Sequence, residues 1–449
     1  MKAKINFEDK FNITSHIVFD KFRITVSIDN ETDRKYMRQY IFKYNFNITI
    51  IEEVTSEIIY ANVKYSHYCN NDIEFILKYY IRSYGIKNFK EISFESNYLT
   101  DYISPIDYFW FNKRKGIQNQ DLLYKSIDIL DFNFYLEDIR IKSSISVGNI
   151  LKDGIRSDLK LNTILNFQLN KISNLDISFQ IFDIVLKFLQ MMSYRKNVSF
   201  NKIILKGIDD NEKNKIGYLY ANIESNDVIS SSSYNASFLL TNNHISDIFQ
   251  TLVDDKCFYV KHLPNKYDDL FDIDVIRYFL IFSAFESEYN KIYDNTKNHK
   301  DSSLKGIKKI LLNKINEINC DYFNENEKKC LLDAKSVIGN IGKRVKTIEK
   351  IINSLQKYKK CIEGTLEYKY LDYDDLFSYA KKVCDIRNDI VHENYDTQFD
   401  QFQIFDIKIL EYLTYAMFLS RCKFNDNEIN HIIKKVFWGY SVSYLMIKK

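Results

Sequence analysis

The spacing of apolar residues changes once along this chain, and that change limits its fold more than any other feature. In Phe22-Arg-Ile-Thr-Val-Ser-Ile-Asp, apolar and polar residues alternate with period two, and Ile58-Ile-Tyr-Ala-Asn-Val-Lys-Tyr repeats the pattern less cleanly. Asn30, Asn70-Asn-Asp and Ser83-Tyr-Gly supply turn chemistry between such runs. A strand sends successive side chains to opposite faces, so residues 1 to about 100 predict a half-exposed antiparallel sheet. Strand-like alternation returns over 139–170, 199–206 and 215–221. One helical interruption, Phe179–Met192, carries Asp183 and Lys187 four apart on its wetter side. From Ile273 onward the spacing is helical throughout. It predicts helices over 273–289, 303–320 (Lys-rich), 325–360 with a bend near Gly339 and Gly342, 373–393 and 402–422. A last helix begins near Asn425, where Asn425-Asp-Asn-Glu reads as an N-cap with an acidic first turn. The expected fold is α+β: a β-rich N-terminal domain with a packed helix, then an all-α bundle of five or six helices.

A chain of 449 residues exceeds one ordinary core. Between Thr241 and Asp274 no period is sustained, and Asn242-Asn243, Asp254-Asp255, Pro264-Asn and Asp268-Asp269 crowd together. The boundary is placed there, giving domains 1–255 and 256–449. The second domain carries 32 Lys+Arg against 28 Asp+Glu, and the first 31 against 32, which permits a polyanionic partner without requiring one. Seven scattered cysteines, odd in number and without a C-x-x-C pair, argue against a disulfide framework or a zinc site and for a reducing compartment. The N-terminus has no apolar core of signal-peptide length, and no run approaches the roughly 18–20 apolar residues of a membrane span. A cytoplasmic protein with no membrane partner is expected.

Within the helix over 373–393 lies Asp385-Ile-Arg-Asn-Asp-Ile-Val-His392-Glu. Leu376, Ala380, Val383/Cys384, Arg387 and Val391 follow steps of three and four and draw one apolar stripe. Arginine on such a stripe is rare unless it is paired or working. Asn388 and His392 are four apart and stack on the adjoining face. A guanidinium can stabilise charge on phosphate oxygens, and an imidazole moves protons near neutral pH. With RNA the 2′-hydroxyl is itself a nucleophile, so the protein need not supply one. There is no Gly-rich phosphate loop, no H-E-x-x-H and no paired-carboxylate motif, and neither a metal nor a cofactor is implied.

A helical C-terminal domain with R-N-x-x-x-H in a late helix resembles the HEPN superfamily, and more closely its ApeA-like branch. Phe279-Leu-Ile-Phe-Ser-Ala-Phe-Glu286-Ser-Glu-Tyr looks like that branch's first HEPN helix, with an acidic residue after an apolar run. The succession Leu175-Asp-Ile-Ser-Phe, Phe188-Leu-Gln, Val198-Ser-Phe and Ile204-Leu is similar to the closing part of the β-rich ApeA-type N-terminal domain. The resemblance implies a HEPN bundle that pairs about a two-fold axis, so that R-x4–6-H helices of two protomers face one cleft. It implies a metal-independent endoribonuclease of an antiphage, abortive-infection system. Arg387 and His392 would be its catalytic pair, Asn388 the polar residue that follows the arginine, and Glu286 a partner that orients Arg387. The implied partners are single-stranded or loop RNA, tRNA included, a second copy of the chain, and a phage-derived trigger at a sensor-like N-terminal domain.

Blander readings stand beside these. Arg387 could make a buried salt bridge with Glu286 or Asp385, and His392 could be a helix-end histidine with a structural bond. A non-catalytic HEPN module that binds a nucleotide or a protein is the alternative function, and a dimerisation module that displays the β domain is a third. Tyr108-Phe-Trp-Phe-Asn-Lys-Arg-Lys-Gly sets aromatics beside cations, as a nucleic-acid contact or as a buried strand entering a basic turn. Lys305–Lys314 and Lys343–Lys350 read first as solvated helix faces.

Overall fold

The computed structural model describes all residues except 8–10, 29, 70–71, 104–126, 150–160, 210–211, 224–241, 256–259, 267, 294–301, 319–322, 341–345, 366, 372–374, 393–397 and 448–449. The fold is α+β, with a β-barrel-rich N-terminal unit, Met1–Asp269, and a helical unit, Leu270–Lys449. This division falls later than the 255/256 boundary read from the sequence, because Lys196 and Asn197 donate their backbone N–H groups to Pro264 and Asn265 at 2.8 and 3.1 Å and so tie that stretch to the first unit.

The alternating segments do form strands, but the first six close on themselves instead of lying as an open sheet. They are β1 (Lys2–Phe7), β2 (Phe11–Asp20), β3 (Arg23–Ser27), β4 (Tyr44–Glu52), β5 (Ile58–Cys69) and β6 (Asp72–Ser83). Neighbours run β3-β2-β1-β4-β5-β6, and β3 then pairs antiparallel with β6, Arg23 opposite Ile76 and Ser27 opposite Asp72. Closure removes both free edges of this part of the sheet. The inward set includes Ile5, Phe7, Ile24, Val26, Ile48, Ile50, Ile59 and Phe75, each at most 1% exposed. Each such side chain contributes roughly 1.5–3 kcal/mol. Helix α1 (Glu31–Met37) and the short 3₁₀ turn Arg38–Tyr40 add Met37 and Tyr40 to this core, with Tyr40 4.6 Å from the Phe7 ring. Asn30 does more than turn the chain here. Its side chain accepts from Thr32 N at 2.8 Å and caps α1, worth about 1 kcal/mol.

β6 joins the barrel to the rest of one continuous sheet. Its first half closes the barrel, and Tyr79–Ser83 pairs with β12 (Glu212–Ala221). From there the sheet continues through β11 (Lys202–Asp209), β7 (Asn88–Glu95), β10 (Leu161–Asn174), β9 (Ile139–Asn149) and β8 (Ile127–Leu136). Gly85, with φ +81, makes the turn between β6 and β7. After a short helix α2 (Asn97–Ile103), the helix read over Phe179–Met192 spans Leu175–Ser193 (α3). Asp176 on it accepts from Tyr60 OH at 2.6 Å and Asn47 Nδ2 at 2.7 Å, and Phe179 packs 4.2 Å from the Tyr79 ring. Asp183 pairs with Lys78 of β6 at 3.1 Å; no ion pair with Lys187 is formed among the described residues. Helix α4 (Asn242–Asp254) was hidden in the stretch without sustained period. It buries Ile245, Ile248, Phe249 and Leu252, with Phe249 4.8–5.6 Å from the rings of Phe132, Phe134, Phe167 and Phe188. Ser246 Oγ and Gln250 Oε1 accept from Asn133 N and Tyr135 N, capping the outer edge of β8.

The helical unit consists of α5 (Val275–Tyr293), α6 (Ser302–Asn316), α7 (Glu325–Asn340), α8 (Thr347–Lys357), α9 (Lys359–Ile362), α10 (Leu376–His392), α11 (Gln401–Arg421) and α12 (Asp426–Ile447). α11 is its axis, buried without a break from Ile407 to Leu419. A helix buried on every side belongs at the centre of a bundle. Against it or beside it pack α5, α8, α9, α10 and α12, while α6 and α7 pack on each other. The bend read at Gly339 and Gly342 falls against residues 341–345, outside the described residues. No helix among the described residues is long and apolar enough to cross a membrane.

Candidate active site

Two helices set the geometry around Arg387. α10 buries Ala380 and Val383 completely and leaves Cys384 and Arg387 half-buried along the border of the same stripe. Opposite them α5 presents Phe282, and the Arg387 guanidinium carbon lies 5.0 Å from the centre of that ring. A guanidinium over an aromatic face gains roughly 0.5–2 kcal/mol, and its N–H edges stay directed outward in the plane. Tyr278, one turn earlier on α5, donates its hydroxyl to the Val383 carbonyl at 2.7 Å, one turn before Arg387. Burial holds the phenol well above its ordinary range, the Cys384 thiol adds to the rise, and Arg387 acts against it. Tyr278 and Phe282 therefore fix the turn of α10 that carries the arginine.

Glu286 follows Phe282 by one turn of α5 and is half-buried. Its Oε1 accepts from the hydroxyl of Thr347, the first residue of α8, at 3.1 Å. Among the described residues no ion pair joins Arg387 to Glu286, to Asp385 or to any other carboxylate. Glu286 and Arg387 do act on one common group. Burial pushes the Cys384 thiol up to about 11, Arg387 opposes the rise, and Asp385 and Glu286 add to it. That thiol stays protonated at neutral pH and is a poor nucleophile. Asn388 is exposed on the adjoining face. α10 continues through His392, five positions and about 7.5 Å along the axis from Arg387, but the His392 side chain lies outside the described ones. The structure thus brings Arg387, Asn388 and His392 onto one helix and sets Glu286 on its neighbour.

No family model matches this chain, and no curated protein or solved structure matches it.

A second cluster of charge in the helical unit escaped sequence reasoning. Lys408 and Glu411 of α11 are both 0% exposed, and Arg277 of α5 is 8% exposed. Glu411 accepts from Arg277 at 2.9 Å through Oε1 and from Lys408 through Oε2. Lys408 also donates to the Leu270 carbonyl at 2.9 Å, and Arg277 to the carbonyls of Leu270 and Asp272, each at 2.9 Å. Burial pulls the Lys408 amine down to about 8, against the pull of Glu411. Every charge here has a partner, so the cluster pins the chain entering α5. An opposite-charge pair at i, i+3 inside an otherwise apolar helix was the signal for it.

Among the described residues no group of three or more His, Cys, Asp or Glu side chains is arranged to hold a metal ion. Of the Lys-rich stretches, Lys314 pairs with Glu317 at 2.8 Å, and Lys350 donates to Asn290 at 3.1 Å. Residues 108–116 lie outside the described residues.

Proposed function

We propose that this protein is a HEPN-type endoribonuclease of the ApeA-like kind, acting without a metal in antiphage defence by abortive infection. The observation that carries the reading is Arg387: a half-buried guanidinium on an apolar helix border, held by Phe282 and given no carboxylate among the described residues. An arginine that only stabilised the bundle would be neutralised, as Arg277 is. With no carboxylate paired to it among the described residues, it is suited to take phosphate oxygens.

In this reading two copies pair about a two-fold axis beside α10, which places two Arg387 and two His392 side chains in one groove. One imidazole takes the 2′-hydroxyl proton as the 2′-oxygen attacks phosphorus. The other protonates the departing 5′-oxygen, and the guanidinium groups hold the phosphate in line. The products are a 2′,3′-cyclic phosphate and a 5′-hydroxyl end, and DNA, lacking the 2′-hydroxyl, is inert. Asn388, exposed next to the arginine, is positioned to hydrogen-bond the RNA. Glu286, held by Thr347 on the neighbouring helix, adds negative charge to the site without a direct ion pair to Arg387. The barrel-rich unit is the sensor, and the resting enzyme is autoinhibited.

The test is cleavage of total cellular RNA in EDTA, with and without phage lysate. The proposal predicts fragments with cyclic-phosphate ends from wild type and none from His392→Ala. Intact RNA under both conditions, or cleavage that survives His392→Ala, contradicts it.

A further inference from the structure

One rim of the barrel carries aromatic side chains that its core does not use. Phe42 is 72% exposed, Tyr44 66%, Tyr65 37% and Tyr68 41%. Tyr44 and Tyr65 are register partners on β4 and β5 with ring centres 6.5 Å apart, and the Tyr65 and His67 rings are 6.0 Å apart. Phe42 N–H donates to the Ser66 carbonyl at 3.2 Å, which brings the residue beside the same stretch of β5.

The backbone is bent to make this display. Phe42 has φ 62 and Asn45 φ 54, both in the left-handed region. For phenylalanine that conformation is unfavourable, and an exposed ring gains nothing from the core to offset it. On the facing strand the register slips at Lys64: Val63 stands opposite Leu77 and Tyr65 opposite Ile76. The bulge leaves Lys64 and Tyr65 both exposed, where regular alternation would turn one of them inward.

Charge indicates what this rim accepts. The segments that build it, residues 34–51 and 58–69, contain Arg34, Lys35, Arg38, Lys43 and Lys64 and no Asp or Glu. On the adjoining strand β6 the carboxylates are Asp72 and Glu74; Glu74 is 8% exposed and lies 3.5 Å from His67 and 3.6 Å from Arg23. Exposed rings on segments that carry cations and no carboxylates suit a polyanion whose own units are flat. We propose that this rim binds single-stranded nucleic acid, with bases stacked on Phe42, Tyr44 and Tyr65 and the backbone lying along Arg38 and Lys64. The site belongs to the barrel and stands whether or not the helical unit cleaves RNA.

The test uses the full chain carrying Arg387→Ala, so that no oligonucleotide is consumed, and a fluorescein-labelled 12-nucleotide oligo-U RNA read by anisotropy. Tyr44→Ala and Tyr65→Ala should each weaken binding about tenfold, in keeping with loss of one stacked base. Phe42→Gly should weaken it similarly while leaving Tm unchanged or raised, since glycine adopts φ 62 without strain. Misfolding cannot produce that combination. Lys64→Gln should lower the slope of log K against log salt by about 0.7. Tyr135→Ala, at another exposed tyrosine of the same unit, should change nothing. Crosslinking of a 5-iodouridine oligonucleotide should label peptides within residues 36–68. Three results overturn the proposal: unchanged affinity in Phe42→Gly and Tyr44→Ala, equal affinity for an abasic strand of the same charge, or crosslinks confined to residues 270–449.

Discussion

Two arginines of the helical unit sit within reach of the same helix, α5, and the fold treats them in opposite ways. Arg277 is on α5 itself, nearly buried, with bonds to Glu411 and two backbone carbonyls. Arg387 faces α5 from α10, half-buried, over the Phe282 ring and without a carboxylate partner among the described residues. A buried ion pair contributes little net stability when intact, but breaking it leaves an uncompensated charge. An arginine held by a ring alone can be removed with small consequence for the fold. The first is therefore a residue the bundle depends on, and the second is one the bundle can spare.

The largest expected effect lies at the first cluster. Glu411→Ala should lower the unfolding free energy by about 3–5 kcal/mol in a urea melt, because it strands Arg277 and Lys408 in the interior. A change below about 1 kcal/mol would erase the contrast. Next, Arg387→Ala should reduce the rate of the proposed cleavage by about 10²–10³-fold, equivalent to roughly 2.7–4 kcal/mol of transition-state stabilisation.

A smaller effect should appear at Asp406. Burial raises its carboxyl to about 6 against an ordinary 3.8, with Lys382 opposing and Asp400 adding. The folded state keeps a proton that the unfolded chain has released, so stability falls as pH rises from about 4 to 6 and the full penalty stands above that window. Asp406→Asn should therefore raise the unfolding free energy at pH 7.5 by about 1 kcal/mol after allowance for partial exposure, seen as a higher Tm, and have no effect near pH 3.5. A gain that is equal at both pH values would point to packing instead. The smallest effect is at Asp183, half-exposed and paired with Lys78. Asp183→Asn should change stability by less than about 1 kcal/mol, and by still less in high salt.

Local spacing was a good guide where a side chain's role depends on its own helix. The stripe through Ala380 and Val383 to Arg387 could be read directly, because 3.6-residue periodicity decides which face is buried. Partners were not legible. Asp183 chose Lys78 over Lys187 and Glu286 chose Thr347 over Arg387, since both partners come from distant segments. Barrel closure failed to register for the same reason: alternation assigns faces, whereas the β3–β6 pairing is a long-range choice. Helix α4 is masked in the sequence because Asn242-Asn243 and Asp254-Asp255 read as loop punctuation. They bracket Ile245, Ile248, Phe249 and Leu252, a complete helical stripe. Lys408 and Glu411 stand within a long apolar run, and their partner Arg277 comes from a distant helix, so local spacing does not reveal the pairing.

If Arg387 is spare in the fold and spent in the proposed chemistry, one paired measurement on Arg387→Ala tests it: Tm alongside the single-turnover rate of RNA cleavage in EDTA. Tm should stay within about 2–4 °C of wild type, the shift expected for a loss near 1 kcal/mol, and cleavage should fall at least a hundredfold. A variant that cleaves RNA at the wild-type rate, or one that loses activity only because its bundle melts many degrees earlier, would contradict it.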